Sequence, residues 1–137
     1  MQNSERILTE VSSGNQRVIR NEAVDTILRG LTGLKGVTAA AIVDNDGLVT
    51  SIRREFDVNT DALGASVQIV FGAASRAAHH ANQESVNIVI CENEEGYIMM
   101  APLKQGLMLA LFTDEDALLG AVRYEIKETL PALNQLY

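Results

Sequence analysis

Only a few side chains in this sequence are of the types that catalysis or metal binding requires. His79 and His80 are adjacent, and neighbours on a helix point about 100° apart, so the two cannot hold one metal ion together. Neither histidine has a serine or cysteine at a recognisable nucleophile spacing. The single Cys91 cannot form an internal disulfide, and its apolar neighbours predict a buried structural thiol. We therefore predict no catalytic residue, no metal site and no cofactor.

Two other patterns are similar to ion and phosphate sites. Asp44 and Asp46 lie in an Asp-Asn-Asp-Gly stretch, which is typical of a turn and lacks the later glutamate of a calcium loop. Gly30, Gly33 and Gly36 are spaced as in a phosphate-binding loop, but no Lys-Ser or Lys-Thr pair follows them. These glycines close a helix instead. The sequence therefore predicts structural turns at both places.

The overall composition excludes several classes of partner. The chain has 137 residues, enough for one domain, with a formal net charge of -7 and a pI near 4.7. Nucleic acid and anionic membranes need clustered basic residues, so this acidic chain is not expected to bind them. We interpret Arg123 as part of a salt bridge on the final helix, because nothing near it in sequence would cradle a phosphate. No apolar run approaches the roughly 18 residues of a membrane span, and no secretory signal is present, which predicts a cytoplasmic protein.

The stretch from Thr60 to Gln83 predicts the helix that the rest of the chain must position. Its middle has no charged residue, so we expect it to be covered on more than one side. At about 100° per residue its apolar residues form two stripes. The bulkier stripe is suited to packing on a sheet and consists of Leu63, Val67, Val70, Ala74 and Ala81. The second has small residues that let another backbone approach, and we predict that it is a docking face: Ala62, Ala65, Ser66, Ile69, Ala73, Arg76 and His80.

The remaining sector of this helix is polar. It consists of Gly64, Gln68, Ser75, His79 and Asn82. An alternative interpretation places both apolar stripes inside one ordinary core, where neither would be available to a partner. The helix by itself does not decide between these two interpretations, because both predict a helix without charges.

Periodicity and turn residues predict the other elements. Residues 1–15 are polar and predict a flexible N-terminal segment with a break at Ser12 to Asn15, followed by a single domain over residues 16–137. A first amphipathic helix is expected from Gln16, and a last helix is expected to open with Asp114 as its cap. Five strands are predicted at Val37 to Asp44, Leu48 to Arg54, Ser85 to Glu92, Tyr97 to Leu103 and Leu107 to Thr113.

The strand sequences predict the fold class. The turns between neighbouring strands are short, so those strands must be antiparallel. The central strands are apolar on both faces, so helices must cover the sheet on both sides. The fold class is therefore α+β: a five-stranded antiparallel sheet in an α/β/α sandwich, with the element order α-β-β-α-β-β-β-α.

Several segments together resemble a known family. GVTAAAIVDNDGLV at 36–49, DALGAS at 61–66, ENEEGYIMMAPL at 92–103 and LMLALFTDEDALLGAVRYEI at 107–126 are similar to the roadblock family of dynein light-chain-like proteins, especially its prokaryotic MglB-like branch. The resemblance covers about residues 16–136. It lacks the longer tail that an MglB-like protein often carries after the last helix.

The resemblance implies a profilin-like fold and a function. The implied protein is a non-catalytic homodimeric scaffold whose paired central helices bind a Ras-like, MglA-like small GTPase and modulate its nucleotide cycle or localisation, for example as a GTPase-activating protein. It also implies the strand order second, first, fifth, fourth, third. That order leaves the third strand at an edge, where two copies are expected to pair through Val86, Asn87, Ile88, Val89 and Ile90.

A second class of function is a small-molecule sensor of PAS-like or GAF-like architecture. In that alternative, a pocket in the sheet would be lined by Met99, Met100, Met108 and Phe112. Aromatic residues make up only 4% of the sequence, and methionines at alternating strand positions usually fill a core. The sequence therefore favours the scaffold.

Overall fold

The computed structural model describes the backbone of residues 2–137 and the side chains from Gly14 onward. Three α-helices and five strands follow one another in the predicted order. A short 3-10 turn, Lys104–Gly106, joins the last two strands. The elements are α1 (Gln2–Thr32), β1 (Val37–Val43), β2 (Val49–Arg54), α2 (Thr60–His80), β3 (Val89–Asn93), β4 (Gly96–Pro102), β5 (Met108–Thr113) and α3 (Leu119–Gln135).

The five strands form one antiparallel sheet in the order β2-β1-β5-β4-β3, which confirms the predicted topology. The turn between β1 and β2 shows how the sequence sets this pairing. Gly47 has a φ of 84°, a conformation that glycine adopts without strain. The Asp44 Oδ1 atom accepts hydrogen bonds from the amides of Asp46, at 2.9 Å, and Leu48, at 3.0 Å. The acidic pair therefore builds a turn, as predicted.

Apolar side chains alternate between the two faces of the sheet and form a separate core on each. The larger core packs α1 and α3 on one face, with Leu28, Val122 and Ile126 against the strand residues Ile42 and Leu109. The smaller core packs α2 on the other face. Its buried members are Val43, Val67, Met100, Met108 and Ala110. Helices on both faces confirm the predicted sandwich.

The first helix is longer than predicted. It begins at Gln2 instead of Gln16 and runs through Ser12 to Asn15, where the sequence had predicted a break. Serine, glycine and asparagine lower helix propensity by about 1 kcal/mol or less each, and unlike proline they keep the backbone hydrogen bonds of the helix. The predicted break is therefore wrong. The side chains of residues 1–13 lie outside the described part, and the flexibility of residues 1–15 stays a prediction.

The edge strand β3 is shorter than the predicted Ser85 to Glu92. Its ladder with β4 begins at the pair Val89 and Met100, and the preceding residues 83–88 are not in the sheet. The partner strand β4 ends at Pro102, which has no amide hydrogen to offer a longer ladder. Three residues of the predicted edge strand therefore precede it.

The starts of α2 and α3 follow different rules. The Asn59 Oδ1 atom accepts a hydrogen bond from the amide of Ala62 at 3.1 Å, so α2 has one of the two predicted caps. The predicted cap of the last helix, Asp114, is engaged elsewhere, because its Oδ1 atom accepts the amide of Asp116 at 2.9 Å in a separate turn. Consequently α3 begins only at Leu119, and no side chain caps its first turn.

Two contacts fix the position of α2 on the sheet. Gly64 is buried against the β1–β2 turn, where an added Cβ would overlap the carbonyl oxygen of Gly47. One turn further along, the Gln68 Nε2 atom donates to the carbonyl oxygens of Asp44, at 2.8 Å, and Gly106, at 3.0 Å. The helix is thus held to two separate turns at one end of the sheet.

The glycine contact predicts a destabilising substitution. Gly64→Ala should lower the free energy of unfolding by about 1–3 kcal/mol, because the new methyl group forces α2 off the turn. The control is Gly30→Ala in α1, where a Cβ would meet nothing within 4 Å. That change should raise stability by roughly 0.5–1 kcal/mol through helix propensity. Equal stabilisation of both variants in urea denaturation would contradict the close approach.

The Gln68 contact predicts a second effect on stability. Gln68→Ala should lower the free energy of unfolding by about 1–2 kcal/mol, because two backbone carbonyls lose their donor. The matched control is Ser66→Ala on the same helix, since the Ser66 hydroxyl is exposed and bonds only within its own helix. That change should cost less than about 0.5 kcal/mol. Similar urea midpoints for the two variants would show that Gln68 does not hold α2 in place.

Candidate partner-binding surface

The outward side of α2 is an exposed surface of small and apolar residues. All seven residues of the predicted docking face are exposed, and the Ile69 side chain is 67% exposed. This outer face of α2 consists of Ala62, Ala65, Ser66, Ile69, Ala73, Arg76 and His80. The alternative that both apolar stripes share one core is therefore wrong for the monomer. Binding of a partner to the outer face stays a prediction.

The inward side of α2 differs from the prediction. Of the bulky stripe only Val67 is buried, whereas Val70 is 37% exposed and Ala81 is exposed. The helix is rotated so that Gly64 and Gln68, which the sequence placed in a polar sector, face the sheet. Close backbone packing and two hydrogen bonds cause this rotation. A glycine and a glutamine one turn apart in a charge-free helix were the signal for it.

The sheet face beneath α2 is incompletely covered. The helix packs over β2, β1 and β5, on one side of that face. Toward β3 and β4, the apolar side chains of Val89, Cys91, Ile98 and Phe112 are only half-buried. The sequence had predicted a buried Cys91, and the uncovered sheet face is the reason for the difference. This part of the face has apolar area left for a further packing partner.

The outer side of β3 is an open edge within the described residues. The strand pairs only with β4, and Val89 and Ile90 are its members among the five predicted edge residues. Val86, Asn87 and Ile88 lie just before the strand. No proline or lysine occurs between Gln83 and Asn93 to discourage pairing with another strand.

The described residues contain no group of three or more metal-ligating side chains. The rings of His79 and His80 are 5.9 Å apart between centroids at the end of α2, and both are exposed. Within the same residues, no helix is long and apolar enough to span a membrane.

The pocket of the sensor alternative does not form. Met99 belongs to the core beneath α1 and α3, whereas Met100 and Met108 belong to the core beneath α2. All three methionines are buried, and Phe112 is half-buried beside the second core. The four side chains lie on opposite faces of the sheet, so they cannot line one pocket. They are packing residues of two cores.

Comparisons with known proteins agree with this architecture. The gliding protein MglB of Thermus thermophilus has a TM-score of 0.78 at 20% identity, over 85% of this chain and 90% of that one. Myxococcus xanthus MglB also has a TM-score of 0.78, at 18% identity, over 85% of this chain and 88% of that one. The uncharacterized protein MJ0310 of Methanocaldococcus jannaschii is 26% identical over 114 residues, which are 83% of this chain and 99% of that protein.

A family model gives the assignment. The model of the Roadblock/LC7 domain matches residues 23–113, from the middle of α1 to the end of β5. This match includes the β1–β2 turn, the whole of α2 and the open edge strand. It spans more than half of the sequence, and the chain therefore belongs to the Roadblock/LC7 domain family.

Proposed function

We propose that this protein is a non-catalytic, homodimeric scaffold that binds a Ras-like small GTPase of the MglA-like kind and modulates its nucleotide cycle or localisation. The observation that carries the proposal is the outer face of α2, where Ile69 is 67% exposed in a helix that has no charge between Ala62 and Ser75. Water solvates such a surface poorly, and covering it with a partner releases that cost.

The homodimer is supported by the open edge. Antiparallel pairing of two β3 edges would satisfy the outward backbone groups of both copies and continue the sheet across the two chains. It would also bring apolar area from the second copy close to Cys91 and Ile98, which are half-buried on the α2 side. Two α2 helices would then lie on one side of a continuous sheet. Their outer faces together form a surface larger than one helix provides.

The same surface supports a regulatory role without catalysis in this chain. The described residues of α2 contribute only Arg76 as a fully charged group on the outer face. A GTPase bound there keeps its own phosphate-binding and water-positioning groups, and the scaffold acts by preferring one conformation of them. Activation by such a partner needs differential affinity for the two nucleotide states, because equal affinity shifts no population.

The homodimer predicts a mass and a variant that splits it. Sedimentation velocity should show twice the chain mass at micromolar concentration. Asn87→Pro should weaken the dimer at least about tenfold, because proline removes an amide donor just before the edge strand. Asn87 is exposed and outside the ladder, so the monomer should keep its fold. The control is Asn87→Ala, which keeps the amide; a monomeric wild-type chain would contradict the pairing.

The docking face predicts loss of GTPase binding. Ala65→Arg and Ala73→Arg should each weaken binding about 100-fold or more, because a guanidinium buried without a partner costs several kcal/mol. Both positions are exposed, so folding and dimer mass should be unchanged. Binding is measured by interferometry against each Ras-like GTPase of the source genome in its GDP and GTP states.

A matched control separates this face from general effects of an added arginine. Ala132→Arg lies at an exposed position of α3, on the other side of the sheet, and should bind as the wild type does. Full binding by a folded Ala73→Arg dimer would remove the outer face from the mechanism. Loss of the dimer in that variant would assign the face to the contact between two copies instead.

A further inference from the structure

A groove of about 620 Å³ lies between α3 and the chain segment that leads into β3. It is on the side of the sheet opposite α2, because Ile88, Ile126 and Leu130 all pack on the core beneath α1 and α3. These side chains and Pro102 form an apolar floor. The remaining lining residues are Asn87, Gly120, Arg123, Tyr124 and Lys127.

The charged groups of this groove are all cationic. Arg123 and Lys127 are exposed, lie one helical turn apart and line the groove, whereas no acidic side chain does. This arrangement stands out in a chain with a net charge of -7. Among the described side chains the ion pairs are those of Asp25 with Arg29 and Arg53, so the salt bridge predicted for Arg123 is not formed. Both cations are available to a bound carboxylate.

The start of α3 adds to this charge pattern. No side chain caps its first turn, where backbone amides point along the helix axis and attract negative charge. The helical residue Gly120 lies at this end of the groove, and a Cβ there would meet nothing within 4 Å. A glycine inside a helix lowers its stability, and here it leaves open space at the wall. From Gly120 to Leu130 the groove follows α3 for about 15 Å, or roughly three turns.

We propose that this groove binds an acidic amphipathic helix of a partner protein. Its apolar face would pack on Ile88, Ile126 and Leu130, and its Asp or Glu side chains would pair with Arg123 and Lys127. Tyr124, which is 60% exposed beside them, supplies apolar area with a polar tip at the rim. Two cations are fewer than the clusters of about four to eight that recruit anionic membranes, so the groove favours a protein segment over a lipid surface.

A peptide-display selection tests the proposal without a known partner. A library of 16-residue peptides is selected on the full-length chain and, in parallel, on the double variant Arg123→Glu/Lys127→Glu. Peptides with apolar residues three and four apart and flanking Asp or Glu should be enriched on the wild type. The best of them should bind the double variant at least tenfold more weakly in fluorescence anisotropy. The charge control is Lys35→Glu, an exposed lysine that does not line the groove.

A second variant pair tests the groove's shape and guards against misfolding. Gly120→Leu should abolish peptide binding by occupying the open space, while its greater helix propensity preserves the fold. Gly30→Leu, at the open position in α1, should bind peptides normally. Peptides that are basic, or that bind Gly120→Leu and the double variant as tightly as the wild type, would overturn the proposal. So would an absence of enrichment.

Two further outcomes would reassign the groove. Sedimentation of the chain with vesicles containing phosphatidylserine, lost in the double variant, would make the ligand a lipid and overturn the proposal. A change of dimer mass in Gly120→Leu would assign the groove to a second copy of this chain, and would overturn it as well. GTPase binding is measured on the same variants and should be unchanged, so failure here is distinguishable from failure of the α2 surface.

Discussion

The backbone of α2 meets the β1–β2 turn so closely that a side chain at Gly64 would overlap Gly47. This contact sets both the height and the rotation of the helix on the sheet. Gln68 then satisfies backbone carbonyls in two turns at the same end of the sheet. Because these contacts use a glycine and an amide, the helix needs few bulky inward residues, and only Gly64 and Val67 in it are buried.

The consequence is an asymmetric sandwich. One face of the sheet is covered by two helices and a large core, and the other by a single helix and a small core. The single helix leaves apolar area at β3 and β4 and presents Ile69 to solvent. An incomplete layer of this kind is completed by association, which explains why an exposed helix face and an open strand edge occur on the same half of the molecule.

The sequence was most informative where local chemistry determines structure. The Asp-Asn-Asp-Gly turn places its glycine at a φ of 84°, and the apolar alternation of the strands required helices on both faces. Asn59 caps α2 because its side chain reaches a free amide of the first turn. The exposed outer face of α2 was also predictable, since its small residues share one side of the helix.

Other features depend on contacts distant in sequence. The rotation of α2 follows from Gly47 and from two carbonyls that Gln68 reaches, and helical periodicity treats a glycine and a glutamine as polar. The strand β3 is shortened by Pro102 of its neighbour, which its own apolar sequence does not reveal. The groove along α3 combines residues from three elements, so Arg123 alone suggested only a salt bridge.

Hydrogen exchange of the backbone amides, followed by mass spectrometry, tests the partner surface most directly. The chain is labelled alone and with a saturating GTP-loaded Ras-like GTPase. The proposed function predicts slower exchange in peptides covering Thr60–His80, with α3 (Leu119–Gln135) unchanged. Protection confined to α3, or unchanged exchange throughout α2 in a demonstrated complex, would contradict the assignment of the outer face of α2 as the GTPase-binding surface.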